Sequence, residues 1–579
     1  LPAAERLLES KVNRSPVDLV LGPNSQWLVT INQGSSTASL VDPQTGRVLD
    51  EVAVGKHPTA IIRDEGGRDV YISSRDSGTI TILTVADDRL TVSGQIEVGM
   101  HPHGLALGPA EMTLYVALTA ADQVGVINLK TRELVEKIDC GRWPRWLALS
   151  PDGKRLAVAS SGDRGISVID CHARKLLFHD AFAGVSVGHV SISKDGEYAY
   201  FPWMVYRANP ISEVNIKLGW VLASRLGRIK LAEKSRREAF SLDPPGKAIA
   251  DVHGLALSSN DKRLVVSAAG THELLVYRNT DLPFKDYGGT DHIEPALLAD
   301  AERFTRIPLG GRPLGLRIAE DDHTVYVANY FHNAIQVVDI DSGKVVRELS
   351  LGPAPELSLA RRGEVIFYDA TRSLDQWYSC HSCHYEGGLA SDRMDTTNDG
   401  SRNTFKTVLP LYNFSKTAPW TWHGWQTDER AAMRKSLTET MLGPKPTGDD
   451  IDALLAYFGQ LAPPPNPFRP RDGKLSPAAE RGQKVFASET AGCANCHSGD
   501  YFTDGENHDV GLGARGDAYK GFNTPSLIGV YERVKLLHDG RAASLREALT
   551  GPHSPAKVTG RGDLTDEQLT DLIEYLKTL

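Results

Sequence analysis

The stretch 316-LRIAEDDHTVYVANYFHNAIQVVDI-340 decides how the first 350 residues are read. Three runs rich in Val, Ile and Tyr are separated by short polar turns, the signal for consecutive antiparallel strands. The stretch 147-LALSPDGKRLAVASSGDRGISVID-170 has the same form, with Asp152-Gly153 at its first turn. Working outward, the unit recurs. Its starts are Ser15-Pro16-Val17, His57-Pro58-Thr59, His101-Pro102-His103, Trp143-Pro144-Arg145, Val187-Gly188-His189, Val252-His253-Gly254 and Arg312-Pro313-Leu314. The first five lie about 42 to 44 residues apart and the last two steps are longer. Units of roughly 40 residues with four strands each predict a β-propeller. The count gives seven blades over residues 1–353, an all-β domain.

The motif "VYVAN…NAIQVVDI" resembles the YVTN family of seven-bladed propellers, over roughly residues 15–352. That resemblance implies a fold and says little about function. Two blades carry insertions, about 203–250 and 278–306. The first holds the basic run "KLGWVLASRLGRIKLAEKSRRE", which reads as a solvated helix lying on the propeller, or as a docking surface for an acidic redox partner.

At Gly352-Pro353 the pattern becomes helical and internally duplicated. "LARRGEVIFYDA" (359–370) matches "AAERGQKVFASE" (478–489), and each precedes a CxxCH. "RNTFKTVL" (402–409) matches "FNTPSLIG" (522–529), and "ERAAMRKSL" (429–437) matches "GRAASLREAL" (540–549). The expected architecture is therefore multi-domain: the propeller, then all-α tandem cytochrome-c modules at 354–462 and 471–579, joined by the proline-rich linker 463–470.

Cys380-His381-Ser382-Cys383-His384 and Cys493-Ala494-Asn495-Cys496-His497 are c-type haem attachment motifs. In each, two thiols add to the haem vinyls and the final His supplies a nitrogen to iron. The cofactors expected are two covalently bound haems c. His381 reads as a passenger. Such attachment occurs on the oxidising side of a membrane, so a periplasmic or otherwise exported, bacterial-type location is expected. The chain begins at Leu1 without a leader and reads as a mature form whose signal was removed or left out.

Residues 354–579 resemble the bacterial di-haem cytochrome c peroxidase family, which includes the methylamine-utilisation di-haem enzyme. The resemblance implies that the haem on His384 meets peroxide and the haem on His497 relays electrons. The family's "HDGR" stands at His538-Asp539-Gly540-Arg541, and its first-half counterpart is His423-Gly424 within "PWTWHGW". A tryptophan lies between the haems in that family; Trp422 or Trp425 could fill that role, with aromatic packing as the alternative. The sequence departs from the family in the loop after the first motif, where no His occurs between His384 and His423. The first haem is then open, or capped by Met394 or Met441. The distal acid falls near Asp449 or Asp450, where a helix N-cap is the other reading. For the second haem, no methionine follows Met441, and His553 is the first candidate for sixth ligand, His508 the second.

In the propeller, His103, His189 and His253 occupy near-equivalent positions after the turn and are expected to converge on the axis, with Arg145 equivalent. Converging imidazoles suit copper, iron or zinc; the plain alternative is that His is common in this turn. Three functions remain open: a peroxidase-type oxidoreductase with the propeller as platform, an oxidoreductase using a propeller metal with haems carrying electrons away, and a non-enzymatic electron-transfer protein. The expected partner is a small redox protein or small-molecule donor or acceptor, with a protein substrate as a further candidate. Across 579 residues the net charge is −9, which gives no basic surface for nucleic acid. No run approaches the roughly 18 apolar residues of a membrane span.

Overall fold

The structure is a computed structural model that describes residues 9–109, 112–286, 290–389, 392–401, 403–470 and 472–579. Residues 1–8 and 471, at the ends of expected domains, residues 287–289 of the second insertion, and Arg402 of the repeated "RNTFKTVL" lie outside the described residues. Seven antiparallel sheets follow one another along the chain, at 16–53, 58–97, 102–139, 144–181, 191–241, 252–308 and 313–350. They form the expected seven-bladed propeller. Blade one and blade seven share no strand. Side chains close the ring: Asn333 Oδ1 accepts from the backbone N–H of Arg14 at 2.6 Å, and the buried Arg14 guanidinium pairs with Glu51 at 2.8 Å.

The recurrent X-Pro turn explains the blade geometry. Proline has no N–H to give the ladder, so pairing slips just after it. The register breaks between Pro16 and Asp18, Pro58 and Ala60, and Pro144 and Trp146. The residue before each proline is left-handed, with φ of 54° at Ser15, 55° at His57, 54° at His101 and 53° at Trp143. Its carbonyl accepts a hydrogen bond from the loop joining strands two and three: Arg75 N–H to His57 at 3.0 Å, Thr119 N–H to His101 at 3.2 Å, Ser161 N–H to Trp143 at 3.1 Å. These bonds tie both sets of loops to one face.

The first insertion differs from its reading as a solvated helix. Residues Leu222–Lys230 are a central strand of blade five, preceded by the extended strand Tyr198–Tyr206 and only a short helix, Glu213–Lys217. Leu226 and Ile229 are buried, and the charges are already paired: Arg228 with Glu238, Arg225 with Asp243, Arg237 with Asp180. Little free positive charge is left for an acidic partner. In the second insertion, Lys285–Asp286 adds a fifth strand to blade five, and Phe304–Pro308 is the outer strand of blade six.

The last propeller strand ends at Ser350 and the first helix of the C-terminal region begins at Leu359. That region contains two runs of like order. In the first, helix Leu359–Phe367 crosses helix Gly448–Phe458; in the second, helix Pro477–Phe486 crosses helix Asp566–Lys577. Each crossing is so close that a glycine is required. A Cβ on Gly363 would meet the Ala453 carbonyl at 1.9 Å, and one on Gly482 would meet the Asp571 carbonyl at 1.9 Å. The region is not purely helical, since each half has a short strand pair: Arg393–Met394 with Lys406–Thr407, and Asn507–His508 with Phe522–Asn523. Residues 463–470 pack rather than span: Pro465 C=O accepts from His101, and Asn466 donates to the carbonyls of Lys577 and Leu579.

The propeller's tied face carries the first half. Asp251 accepts hydrogen bonds from Ser379 Oγ at 2.5 Å and Ser382 Oγ at 2.6 Å, gripping the first CxxCH from both sides. Arg75 pairs with Glu386 at 2.7 Å, and the guanidinium groups of Arg145 and Arg312 each lie 3.6 Å over Tyr385 and Tyr368. Blade five reaches further: Tyr206 donates to the Arg393 carbonyl and Ile211 N–H to that of Asp395.

Candidate functional site

Two cavities lie in the C-terminal region, one behind each CxxCH. Cys380, Cys383 and His384 line the first, a cavity of about 360 Å³, together with Tyr378, Trp420 and Trp425. Cys493, Cys496 and His497 line the second, of about 170 Å³, together with His508, His538 and His553. Burial pushes His384 and His497 each down to about 4, so both imidazoles are neutral and available as ligands near pH 7. His497 Nδ1 donates to the Phe502 carbonyl at 3.2 Å, which leaves Nε2 free to meet a metal. Paired thiols, a neutral imidazole and a largely apolar cavity in each half fit a covalently attached haem.

Of the three histidines that join His497 in the second cavity, His553 has a buried Nδ1 with no hydrogen-bond partner, and burial lowers its pKa. His508 Nε2 is held by Asp504 at 2.7 Å. Cys496, Asp504 and His508 form a group of metal-type ligands within 4.8 Å, but Cys496 belongs to the attachment motif. His538 also has a buried Nε2 without a partner and is pushed down to about 4 by burial, but its ring is held by stacking on Phe522 at 4.1 Å. Among the described residues, the first cavity is lined by no histidine besides His384. It is lined by Met394, Met441 and also Met433, which sequence reading passed over. Met441 Sδ lies 3.8 Å from Cys380 Sγ, beside the attachment edge.

Trp422 lines both cavities, and its Nε1 donates to the Thr407 carbonyl at 2.7 Å. Trp425 lines the first alone, with Lys435 5.2 Å above its ring. His423, the counterpart of the "HDGR" histidine, and Asp450, the distal-acid candidate, lie elsewhere. His423 Nδ1 donates to the Gly521 carbonyl at 2.9 Å, and its ring is stacked against Phe522 and Tyr519, away from the cavity wall. Asp450 accepts from the N–H of Thr447 at 2.9 Å in a capping box and faces Arg372, so it holds a helix start and not the distal side. Arg533, which sequence reading missed, lines both cavities; in the sequence it stands between Glu532 and Lys535 with nothing to set it apart.

On the propeller axis, His103, His189 and His253 gather around an indole. Trp146 stands 4.5 Å from the His103 ring, 3.8 Å from His189 and 5.4 Å from His253. Arg145, taken as the equivalent of these histidines, is the bulged residue of blade four and turns up to Tyr385 instead. The bulge sends the next residue, Trp146, to the centre. Among the described residues, the three imidazoles are not a group with ligand atoms within 4.8 Å of one another, so the convergence is around a side chain rather than an open metal position. His381 sits above, between Tyr368 and Tyr385 at 4.8 Å each, its Nδ1 accepting from Glu386 N–H.

Burial, the largest cause in each case, holds His103 and His189 well below the usual imidazole range and His253 at about 3. Their folded pKa values lie under the unfolded value of about 6.5. The stability this contributes is complete above pH 6.5 and is lost as pH falls toward 3, because the unfolded chain takes up protons first. The limit is about 1.4 kcal/mol per pH unit for each imidazole. The melting temperature is expected to fall between pH 6.5 and 5, and His189→Asn should flatten that fall. An unchanged pH dependence in His189→Asn would contradict the assignment.

Comparison with known proteins agrees with this layout. The cytochrome c family profile matches residues 479–579, and the profile described as a lactonase, 7-bladed beta-propeller, matches residues 25–133. The chain is 29% identical over 274 residues to hydrazine synthase subunit gamma of Kuenenia stuttgartiensis, covering 38% of this chain and 77% of that one. It is 32% identical over 121 residues to the methylamine utilization protein MauG of Methylorubrum extorquens, covering 17% of this chain and 34% of that protein, about a third of its length. A solved chain of Kuenenia stuttgartiensis hydrazine synthase superposes with TM-score 0.51 at 21% identity, covering 58% of this chain and 98% of that one, a likeness of fold.

Proposed function

We propose that this haem c oxidoreductase carries two haems, on Cys380/Cys383/His384 and on Cys493/Cys496/His497, and acts as an exported enzyme of the cytochrome c peroxidase type. Bound in these cavities, haem iron supplies either a site for a small oxidant such as peroxide or a station for single electrons. The carrying observation is that the two cavities share a wall, in which the Trp422 indole stands beside Arg533 and the 523–525 segment. The difference between the cavities supports a division of labour. The first has about twice the volume of the second and no second histidine, which favours a reactive site. The second has His553 in its wall, which favours a closed, six-coordinate relay.

The propeller serves as a platform in this reading. Asp251 holds the first attachment loop and Ile211 contributes to the first cavity's wall. Electrons would come from a small redox protein or small-molecule donor, and a protein substrate fits the same scheme. Covalent haem attachment carries the exported, periplasmic location; among the described residues no helix is long and apolar enough to cross a membrane. The likeness to hydrazine synthase subunit gamma favours a second reading of the same site, in which the small molecule is a nitrogen compound of the hydrazine kind. A pyridine haemochrome assay is expected to return two haems per chain, with peroxide oxidising a reduced donor catalytically. One haem per chain would contradict the proposal, and turnover with hydrazine but not with peroxide would favour the second reading.

A further inference from the structure

Among the described residues, Arg533 has no counter-ion in the wall shared by the two cavities. It lines both, and the narrow space between them that Trp422, Lys535 and Asp392 also border. Its Nη2 donates to the Ser526 carbonyl at 2.6 Å, a neutral partner, while its buried Nε meets no acceptor. Desolvation alone shifts its ionisation, pushing it down to about 10, with no carboxylate acting against it. The guanidinium is therefore still charged at neutral pH. Lys535 beside it is paired with Asp392, and the buried arginines Arg14, Arg75 and Arg225 have Glu51, Glu386 and Asp243. Placing a charge out of water without an opposite charge is strongly unfavourable, so a lone guanidinium in a cavity wall marks a place where a bound anion is due. The planar fork of donors suits a carboxylate.

We propose that Arg533 is the counter-ion of a propionate of the haem carried on His497, at the wall where the second cavity faces the first. This rests on the two-haem reading. Arg533 sits on the segment whose Val530, Leu536, Leu537 and His538 line the second cavity, so the haem on His497 is the cofactor of its own half. The consequence concerns redox balance. A positive charge that neutralises a propionate disfavours the ferric state and holds the reduction potential of that haem up. Arg533 is thus a positioning and tuning residue for electron transfer, acting through the cofactor and not on the substrate.

The test uses the full, haem-loaded chain. Haem count is fixed by pyridine haemochrome, and midpoint potentials are measured by optical redox titration for wild type, Arg533→Met and Arg533→Lys. With both haems attached, Arg533→Met should lower the potential of the haem on His497, and Arg533→Lys should stay near wild type. Unchanged potentials in Arg533→Met would overturn the proposal. A wild type with one haem would instead sink the two-haem reading itself. Should Arg533→Met lose a haem during maturation, a crystal structure of the wild-type holoprotein decides. A guanidinium nitrogen within about 3.2 Å of a propionate oxygen is expected, and a guanidinium left without a propionate contact would overturn it.

Discussion

Replacing Trp422 by phenylalanine is expected to slow electron transfer between the two haem sites by about 10-fold or more, on the scale of losses seen when a group just outside a metal site is changed. The indole is buried, lines both cavities, and is fixed by its Nε1 bond to the Thr407 carbonyl. Thr407 in turn donates its backbone N–H to the His538 carbonyl, so the indole, the strand pair and the second half are locked together. Phenylalanine keeps most of the bulk but loses the indole N–H and the longer ring system. Alanine would also leave a void costing about 3 to 5 kcal/mol, which is why phenylalanine is the cleaner probe. The measurement is rapid mixing of the half-reduced protein with peroxide, following reoxidation of the haem on His497. A rate equal to wild type would remove Trp422 from the electron path.

Replacing His553 by alanine is expected to open the second haem. The low-spin spectrum of that haem should give way to a high-spin one, a second cyanide should bind per chain, and added imidazole should restore the low-spin form. The grounds are the unpartnered Nδ1, the loss of charge at low exposure, and the presence of His553 in the wall that His497 also lines. Bis-histidine ligation sets a lower potential than His/Met ligation would, since a thioether ligand raises it. Turnover should fall in parallel, because an open relay haem exchanges ligands as well as electrons. A His553→Ala protein with an unchanged low-spin spectrum would return the role to His508 or leave the site open.

The propeller could be read from sequence because its blades repeat a local device. The X-Pro turn and the Asp-Gly hairpins are chemistry within a few residues, and the carbonyl bond from each turn to the next loop recurs at His57, His101 and Trp143. Blade five escaped that reading. Its run "VLASRLGRIK" is rich in residues that also favour helices, and only burial on both sides, with Arg225 and Arg228 paired to acids on or just past the neighbouring strand, makes it a strand. The haem-site cysteines and histidines follow from motif spacing. The wall between the cavities does not, because Trp422 and Arg533 meet there from segments more than a hundred residues apart. The axis shows a further limit. The bulge after the X-Pro turn recurs, but the repeat does not say which residue of it turns inward, and after Pro144 it is Trp146 and not Arg145 that reaches the centre. Asp251 likewise had no motif; its role appears only where the propeller face meets Ser379 and Ser382.

The division between a reactive first site and a closed second one is tested most directly by adding cyanide to the resting oxidised protein and following both haems by electron paramagnetic resonance. The larger first cavity without a second histidine predicts that cyanide converts the signal of the haem on His384 and leaves that on His497 unchanged. Conversion of the haem on His497 alone would contradict the account and reverse the roles of the two sites.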